Sequence, residues 1–138
     1  MLDAKPISTP LFAHFKLPLQ LCPSSDEELK YMSIVSYANT VRCLKYLMVC
    51  TRPNISHAVS VVSRYMANPD KERWNAVKWI FRYLTGTRDF SILFDQRAST
   101  EAGGYVDSDY VGDLDFRKSM IGYVFRFDGG PICWKSIL

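Results

Sequence analysis

The carboxylates that could do chemistry are concentrated in residues 103–115, which carry Asp107, Asp109, Asp113 and Asp115. Alternate residues of a β-strand point to the same side, so a strand through Asp107 and Asp109 would place both on one face. Carboxylate oxygens are ligands that Mg²⁺ prefers, and two-metal hydrolysis of a phosphodiester needs several of them. We therefore take Asp107 and Asp109 as candidate catalytic residues, with Asp107 a candidate metal ligand. Two carboxylates alone are too few for a complete site.

The other two aspartates fit a turn better than a metal site. Asp113 and Asp115 follow the predicted strand, and aspartate is frequent in turns because its side chain bonds to nearby backbone. Residues 105–109 also approach the Tyr-x-Asp-Asp motif of polymerases, but Ser108 separates the two carboxylates. We reject that match.

A second group of candidate residues forms a cationic stripe, defined as Lys71, Lys78 and Arg82. Their spacings of seven and four place them on one face of a predicted helix, opposite its apolar residues. Such a face can contact nucleic-acid phosphates, since lysine and arginine release bound counterions there. Arg64 and Arg73 would extend the stripe. The alternative is an ordinary solvated helix face.

Composition limits the remaining function classes. At 138 residues and 48% hydrophobic, the chain can form one domain, and its net charge of +3 permits a polyanionic partner without requiring one. Four cysteines without a CxxC pair and two histidines indicate neither a zinc site nor a disulfide framework. No apolar run reaches the roughly 20 residues of a membrane helix, and no signal peptide is evident. We expect a soluble, intracellular protein without a cofactor of its own, in either cytoplasm or nucleus.

The first part of the chain predicts an arm followed by three helices. Residues 1–23 carry four prolines, which block a long helix and favour an extended arm. Overlapping capping boxes that start at Ser24 and Ser25 begin a helix whose apolar stripe includes Ile34 and continues to residue 51. Pro53 opens a second helix and Asp70 caps a third, in which Trp74, Val77, Phe81 and Leu84 form the buried stripe.

After Gly86 the apolar period changes from helical to the period of two that is typical of strands. Alternation predicts strands through residues 90–94, 105–107 and 123–127, and residues 128–130 predict a tight antiparallel hairpin. The expected fold class is therefore α+β, with an arm at 1–23, a helical segment at 24–87 and a small antiparallel sheet at 88–138. A half sheet would leave an unpaired edge, through which the protein could self-associate.

Several motifs in order and spacing resemble one protein family, the Pol polyproteins of Ty1/copia-type retrotransposons. They are Tyr46-Leu47, Thr51-Arg52-Pro53-Asn54-Ile55, residues 74–87, Gly104-Tyr105-Val106-Asp107-Ser108-Asp109, Arg117-Lys118-Ser119, Gly122-Tyr123 and Trp134-Lys135-Ser136. The resemblance covers nearly the whole chain. It implies the C-terminal end of a reverse transcriptase, the connecting helices, and the start of a ribonuclease H domain whose sheet is truncated.

The resemblance implies a parent that copies RNA into DNA and degrades the RNA strand using Mg²⁺. Asp107 matches the first ribonuclease H carboxylate. The family's next catalytic carboxylate is a glutamate expected soon after Trp134-Lys135-Ser136, and its polymerase Asp-Asp motif is expected upstream of Met1. We therefore expect a remnant without catalytic activity of its own. The alternative is a module retained from the parent that binds an RNA/DNA duplex or another protein.

The chain departs from the family at several positions. Arg42 and Lys45 stand in a stretch that is usually small and apolar, Asn54 replaces a usual aspartate, and Arg73 replaces a usual histidine. Removing an unpaired charge from water costs several kcal/mol, although long side chains such as Arg42 and Lys45 can snorkel to the surface. Such departures suggest a copy no longer held to function.

Overall fold

The computed structural model describes residues 4–11, 25–94, 101–109 and 119–137. The elements in chain order are α1 (Asp26–Ile34), α2 (Tyr37–Thr51), a 3₁₀ turn (Pro53–Ile55), α3 (Ser56–Ser63), α4 (Lys71–Gly86), β1 (Gly103–Asp109), β2 (Met120–Phe127) and β3 (Gly130–Ile137). The predicted α+β class is confirmed. Among the described residues, no helix combines the length and apolar character that a membrane crossing requires.

Helix α1 begins as the capping pattern predicts. The Ser25 hydroxyl accepts a hydrogen bond from the Glu28 backbone N–H at 3.2 Å. Asp26, Glu27 and Glu28 fill the first turn, where carboxylates interact favourably with the positive end of the helix dipole. The second predicted capping box starts at Ser24, which lies outside the described residues.

The prediction of one continuous helix from the capping boxes to residue 51 is wrong, because the chain breaks between α1 and α2. Val35 is extended, with φ −81° and ψ 121°, and Ser36 also leaves helical geometry. Both residue types have weak helix propensity. The break also lets Tyr37 bury its ring, whereas Ile34, which the helical period placed inside, is 84% exposed.

The hydrophobic core lies in the helical layer. All buried apolar side chains of the described residues fall between Met32 and Tyr83, and they come from the helices and the turns between them. Fully covered members from α2 and α3 include Val41, Leu44 and Val62. The sheet therefore packs on a core that the helices build among themselves.

The buried stripe of α4 differs from the one predicted. Val77 is fully buried, but Trp74, Phe81 and Leu84 are only partly covered at the edge of the core. The fully buried positions on this helix are Arg73, Ala76, Val77, Ile80 and Tyr83. The helix is thus rotated so that an arginine lies inside.

Arg73 does not extend the cationic stripe. Its side chain is 1% exposed, and its Nη1 donates to Asp70 Oδ2 at 2.8 Å. The other Asp70 oxygen accepts from the Arg73 backbone N–H at 2.7 Å, which caps the first turn of α4 as predicted. The guanidinium carbon also lies 3.9 Å from the centre of the Tyr65 ring. A charge that the helical period assigned to solvent is instead paired and stacked inside the protein.

The three strands form an antiparallel sheet in the order β1-β2-β3. Asp128 and Gly129 connect β2 to β3 with φ values of 51° and 75°. Positive φ at both central residues is what a type I′ turn requires, and its twist matches that of paired strands. The predicted hairpin and the strand through residues 105–107 are confirmed.

The strand predicted from Phe90, Ile92 and Phe94 does not form. Phe90 and Phe94 are 62% and 53% exposed, and residues 90–94 join no described strand. The Phe94 ring instead packs against Gly130, where an added Cβ would lie 2.7 Å from it. A side-chain contact with the hairpin has replaced the expected backbone ladder.

Tyr37 generates a prediction about stability at high pH. Its hydroxyl donates to the Val62 carbonyl oxygen at 2.8 Å, and burial raises the pKa of Tyr37 well above its ordinary value of 10.0. The folded protein therefore keeps this proton where the unfolded chain loses it, so the stability contribution is constant below about pH 10 and falls above it. Tyr37→Phe should lower the unfolding free energy by about 1 kcal/mol at pH 7.

Urea unfolding from pH 7 to pH 11 measures both effects. Between pH 10 and pH 11 the unsubstituted protein should lose up to about 1.4 kcal/mol more than Tyr37→Phe, the value of one proton per pH unit. Tyr31→Phe is the matched control, since Tyr31 is 44% exposed. Parallel curves for Tyr37→Phe and the unsubstituted protein above pH 10 would contradict the assignment.

Candidate metal-binding carboxylate and nucleic-acid interface

Asp107 lines a groove between the sheet and the start of α3. The groove encloses about 410 Å³, which lies within the range of small-ligand sites. His57 and Lys135 contribute polar groups to its wall, and its aromatic members are Tyr105, Tyr123 and Trp134. By the strand register, Asp107 shares its face of the sheet with Tyr105 and Trp134.

The strand register explains why Asp107 is accessible. Asp107 pairs with Gly122 of β2, which in turn pairs with Ser136 of β3. A Cβ added at Gly122 would meet no atom closer than the Lys135 carbonyl oxygen, at 4.0 Å. Because no bulky side chain stands opposite, the Asp107 carboxylate is exposed and can take a hydrated cation.

The remaining aspartates do not complete this site within the described residues. Asp109 pairs with Met120 through its backbone, and its side chain lies outside the described part of the structure. Asp113 and Asp115 also lie outside it. Across residues 4–11, 25–94, 101–109 and 119–137, no group of three or more His, Cys, Asp or Glu side chains is placed to hold a metal ion. Asp107 can contribute one ligand to Mg²⁺, and the complete set requires further carboxylates.

Two contacts fix the sheet against the helices around the groove. The Trp134 indole N–H donates to the Met48 carbonyl oxygen of α2 at 3.0 Å. On the other side, His57 Nδ1 lies 3.0 Å from the Met120 sulfur. These contacts join β2 and β3 to α2 and α3, so the position of Asp107 depends on the helical layer.

Sequence reasoning missed the helical wall of the groove. Ser56 and His57 begin α3 and lie about fifty residues from Asp107 in the chain, so no local motif connects them. The Ser56 hydroxyl is buried, and no residue in the described ranges bonds to it. The signal that could have indicated this wall is the polar Ser56-His57 pair at the start of an otherwise apolar helix.

The cationic stripe lies on one face of α4, as predicted. Lys71 is exposed, while Lys78 and Arg82 are half-buried on the side opposite Ile80. None of the three lines the groove that contains Asp107. The structure therefore places the cationic stripe and Asp107 at different surfaces. Arg64 is exposed at the end of α3, on a different element from the stripe.

Arg82 is engaged within the chain. Its guanidinium lies 5.1 Å from the centre of the Trp79 ring, and its Nε donates to the Lys5 carbonyl oxygen at 2.8 Å. The segment that carries Lys5, residues 4–11, has no regular secondary structure and lies against α4. The rest of the predicted arm, residues 1–3 and 12–23, is outside the described residues.

The departures from the family pattern are accommodated without unpaired buried charge. Arg42 is exposed and donates to Asn39 Oδ1 at 2.9 Å, and Lys45 is exposed on the same helix. Both charges therefore lie on the solvent side of α2. The Asn54 amide donates to the Tyr83 hydroxyl at 2.7 Å, which links the 3₁₀ turn to α4.

The sheet presents apolar side chains to solvent. Val106 is 70% exposed, and Phe125 and Ile121 are 48% and 45% exposed. Strands β1 and β3 pair on one side each among the described residues. Self-association through these edges stays a prediction.

The described cysteines, Cys43, Cys50 and Cys133, are exposed free thiols.

Comparisons with known proteins identify two transposon polyproteins and one secreted effector as relatives of this chain. The chain is 51% identical over 138 residues to the retrovirus-related Pol polyprotein from transposon TNT 1-94 of Nicotiana tabacum, covering 100% of this chain and 10% of that protein. It is 37% identical over 136 residues to the corresponding polyprotein from transposon RE2 of Arabidopsis thaliana, covering 99% and 9%. It is also 37% identical over 105 residues to secreted RxLR effector protein 161 of Plasmopara viticola, covering 76% of this chain and 74% of that protein.

The polyprotein matches define the class of protein as transposon-derived. The chain belongs to the retrovirus-related Pol polyproteins of copia-type transposons, and it corresponds to a fragment of them. It spans about a tenth of the length of the TNT 1-94 and RE2 polyproteins. No protein-family profile matches the chain, and no solved structure matches it significantly.

Proposed function

We propose that this chain is the part of a copia-type Pol polyprotein that joins the reverse transcriptase to the ribonuclease H domain. Residues 24–87 supply the connecting helices, and residues 88–138 begin the nuclease sheet. Asp107 is the first Mg²⁺-binding carboxylate of that nuclease in the intact parent. The observation that carries the proposal is the exposed position of Asp107 on β1, opposite a glycine and inside a groove.

The chemistry of Asp107 explains what this chain contributes and what it lacks. Mg²⁺ keeps several waters and binds through a few carboxylates plus the phosphates of its substrate, so a single accessible carboxylate is a plausible first ligand. Two-metal cleavage needs further carboxylates that hold two cations roughly 3.5–4 Å apart. The described groove offers Asp107 alone among acidic side chains. The chain by itself is therefore proposed to be catalytically inactive, as a remnant of an enzyme.

A ribonuclease H assay tests this proposal. The chain and its Asp107→Asn variant are incubated with a labelled RNA/DNA hybrid and Mg²⁺, with an intact ribonuclease H as the positive control. Both should leave the RNA strand uncut above background, because the described groove places no second carboxylate beside the one that the substitution removes. Robust cleavage that disappears in Asp107→Asn would overturn the assignment of an inactive remnant.

We propose duplex binding as a second candidate function. Lys71 and Arg82 are 11 residues apart, so the cationic stripe extends about 16 Å along α4 at 1.5 Å per residue. Charges spread over that length can face several phosphates of one strand, which lie roughly 3.4 Å apart along a duplex axis. The common orientation of Lys71, Lys78 and Arg82 on one rigid helix supports this candidate over a scattered set of surface charges.

Reversing the three charges tests duplex binding. Binding of a fluorescent RNA/DNA duplex to the unsubstituted chain should weaken with salt, because each phosphate contact releases counterions. Lys71→Glu/Lys78→Glu/Arg82→Glu should reduce the slope of log K against log salt by about 2.7, at about 0.9 per lost contact. Anisotropy titrations at several salt concentrations measure the slope.

The control for charge is a triple substitution of the same size elsewhere. Lys30→Glu/Arg42→Glu/Lys45→Glu changes the net charge equally at exposed positions of α1 and α2. This control should retain most of the salt slope. An equal loss of salt slope in both triple variants would show that only the total charge matters. If the unsubstituted chain shows no salt-sensitive binding at low ionic strength, this function is excluded.

A further inference from the structure

Residues 4–11, here called the strap, lie antiparallel along the outer face of α4. The Arg82 Nε donates to the Lys5 carbonyl oxygen at 2.8 Å, and the Trp79 indole N–H donates to the Thr9 carbonyl oxygen at 3.0 Å. The bonded residues are 77 and 70 positions apart in the chain, so the contact is tertiary rather than local. Ile7 and Leu11 also pack against the edge of the core.

Gly86 is a position where the strap leaves no room for a side chain on α4. A Cβ added there would lie 2.9 Å from the Pro6 Cβ and 3.4 Å from the Ile7 carbonyl oxygen. Pro6 is a rigid ring and Ile7 contributes backbone, so neither can move aside without shifting the strap. The absence of a side chain at this position allows the strap to lie against α4.

The strap is hydrogen-bonded to Arg82, a cation that the proposed nucleic-acid interface would use. Arg82 is one end of the cationic stripe, and its Nε–H, which could donate to a phosphate oxygen, is bonded to Lys5 instead. The guanidinium is also held against Trp79, whose own N–H is bonded to the strap. Lys71, at the opposite end of α4, is exposed and not bonded to the strap through its side chain. The strap therefore covers one end of the stripe and leaves the other open.

We propose that the strap is a displaceable competitor of a nucleic-acid phosphate backbone for Arg82, so that duplex binding along α4 releases residues 4–11. The proposal rests on duplex binding as the proposed second function. It is energetically accessible because the Lys5 carbonyl is a neutral acceptor, whereas a phosphate oxygen is charged and can bind an arginine in a bidentate pair. The strap thereby lowers affinity for short or weakly charged partners.

The test is Gly86→Ala, which displaces the strap while every cation of the stripe stays in place. Gly103→Ala is the matched control, because a Cβ at Gly103 meets nothing within 4 Å. Hydrogen exchange of the peptide containing residues 4–11 reports strap release, and anisotropy with an RNA/DNA duplex reports affinity. Circular dichroism verifies that α4 remains helical in both variants.

In Gly86→Ala we expect faster exchange in residues 4–11 and about fivefold tighter duplex binding, the factor that one strap hydrogen bond of about 1 kcal/mol would cost. Adding duplex to the unsubstituted chain should likewise speed exchange in the strap. Gly103→Ala should change neither. Arg82→Gln should release the strap without raising affinity, since it removes the shared cation.

The outcomes of these experiments distinguish a failure of strap competition from a failure of duplex binding. Faster exchange in Gly86→Ala with unchanged duplex affinity, in a chain that binds duplex with a normal salt slope, would overturn competition and leave duplex binding intact. Unchanged exchange in Gly86→Ala would overturn the role of Gly86 and the strap. If neither the unsubstituted chain nor Gly86→Ala shows salt-sensitive binding, duplex binding and strap competition are both excluded.

Discussion

The buried ion pair between Asp70 and Arg73 determines how the rest of the structure is arranged. Both side chains are almost fully covered, and Asp70 serves the pair and the helix cap at once. Arg73 also stacks on Tyr65 at the end of the preceding helical segment, so the connection into α4 is held from two sides. A buried charge is tolerated only with close partners, which makes this arrangement restrictive. Rotating α4 by one position would expose the pair or leave one charge alone.

The orientation of α4 has functional consequences. Because Arg73 points into the protein, Lys71, Lys78 and Arg82 point outward on the opposite face, and Trp79 and Gly86 face the strap. The sheet depends on the same helical layer, since it contributes no buried apolar side chain of the described residues and is held by the Trp134 bond to α2. Asp107 is thus presented by a sheet that relies on the helices for its position.

Local features were predictable where the physical cause is local. The Ser25 cap and the Asp128-Gly129 turn follow from side-chain and φ preferences of a few consecutive residues, and both formed as expected. The common face of the cationic stripe follows from helical spacing alone. The family resemblance also held, because it depends on order and spacing across the whole chain.

Features that depend on tertiary contacts were not predictable. The helical period put Arg73 on the surface, since nothing local shows that Asp70 and Tyr65 will enclose it. Alternation made Phe94 part of a strand, although its ring is used against Gly130. The groove around Asp107 brings in Ser56 and His57 from a distant helix, and sequence spacing contains no record of that contact.

A double-mutant cycle on Asp70 and Arg73 tests the central claim most directly. Asp70→Ala should cost about 3–5 kcal/mol in urea unfolding, because it leaves Arg73 buried without its partner, and Arg73→Met should cost less. The double variant should be more stable than the sum of the single losses predicts, with a coupling energy of at least about 2 kcal/mol. Additive losses within about 0.5 kcal/mol would show that the two side chains do not act as a pair, and would contradict the account of how α4 is oriented.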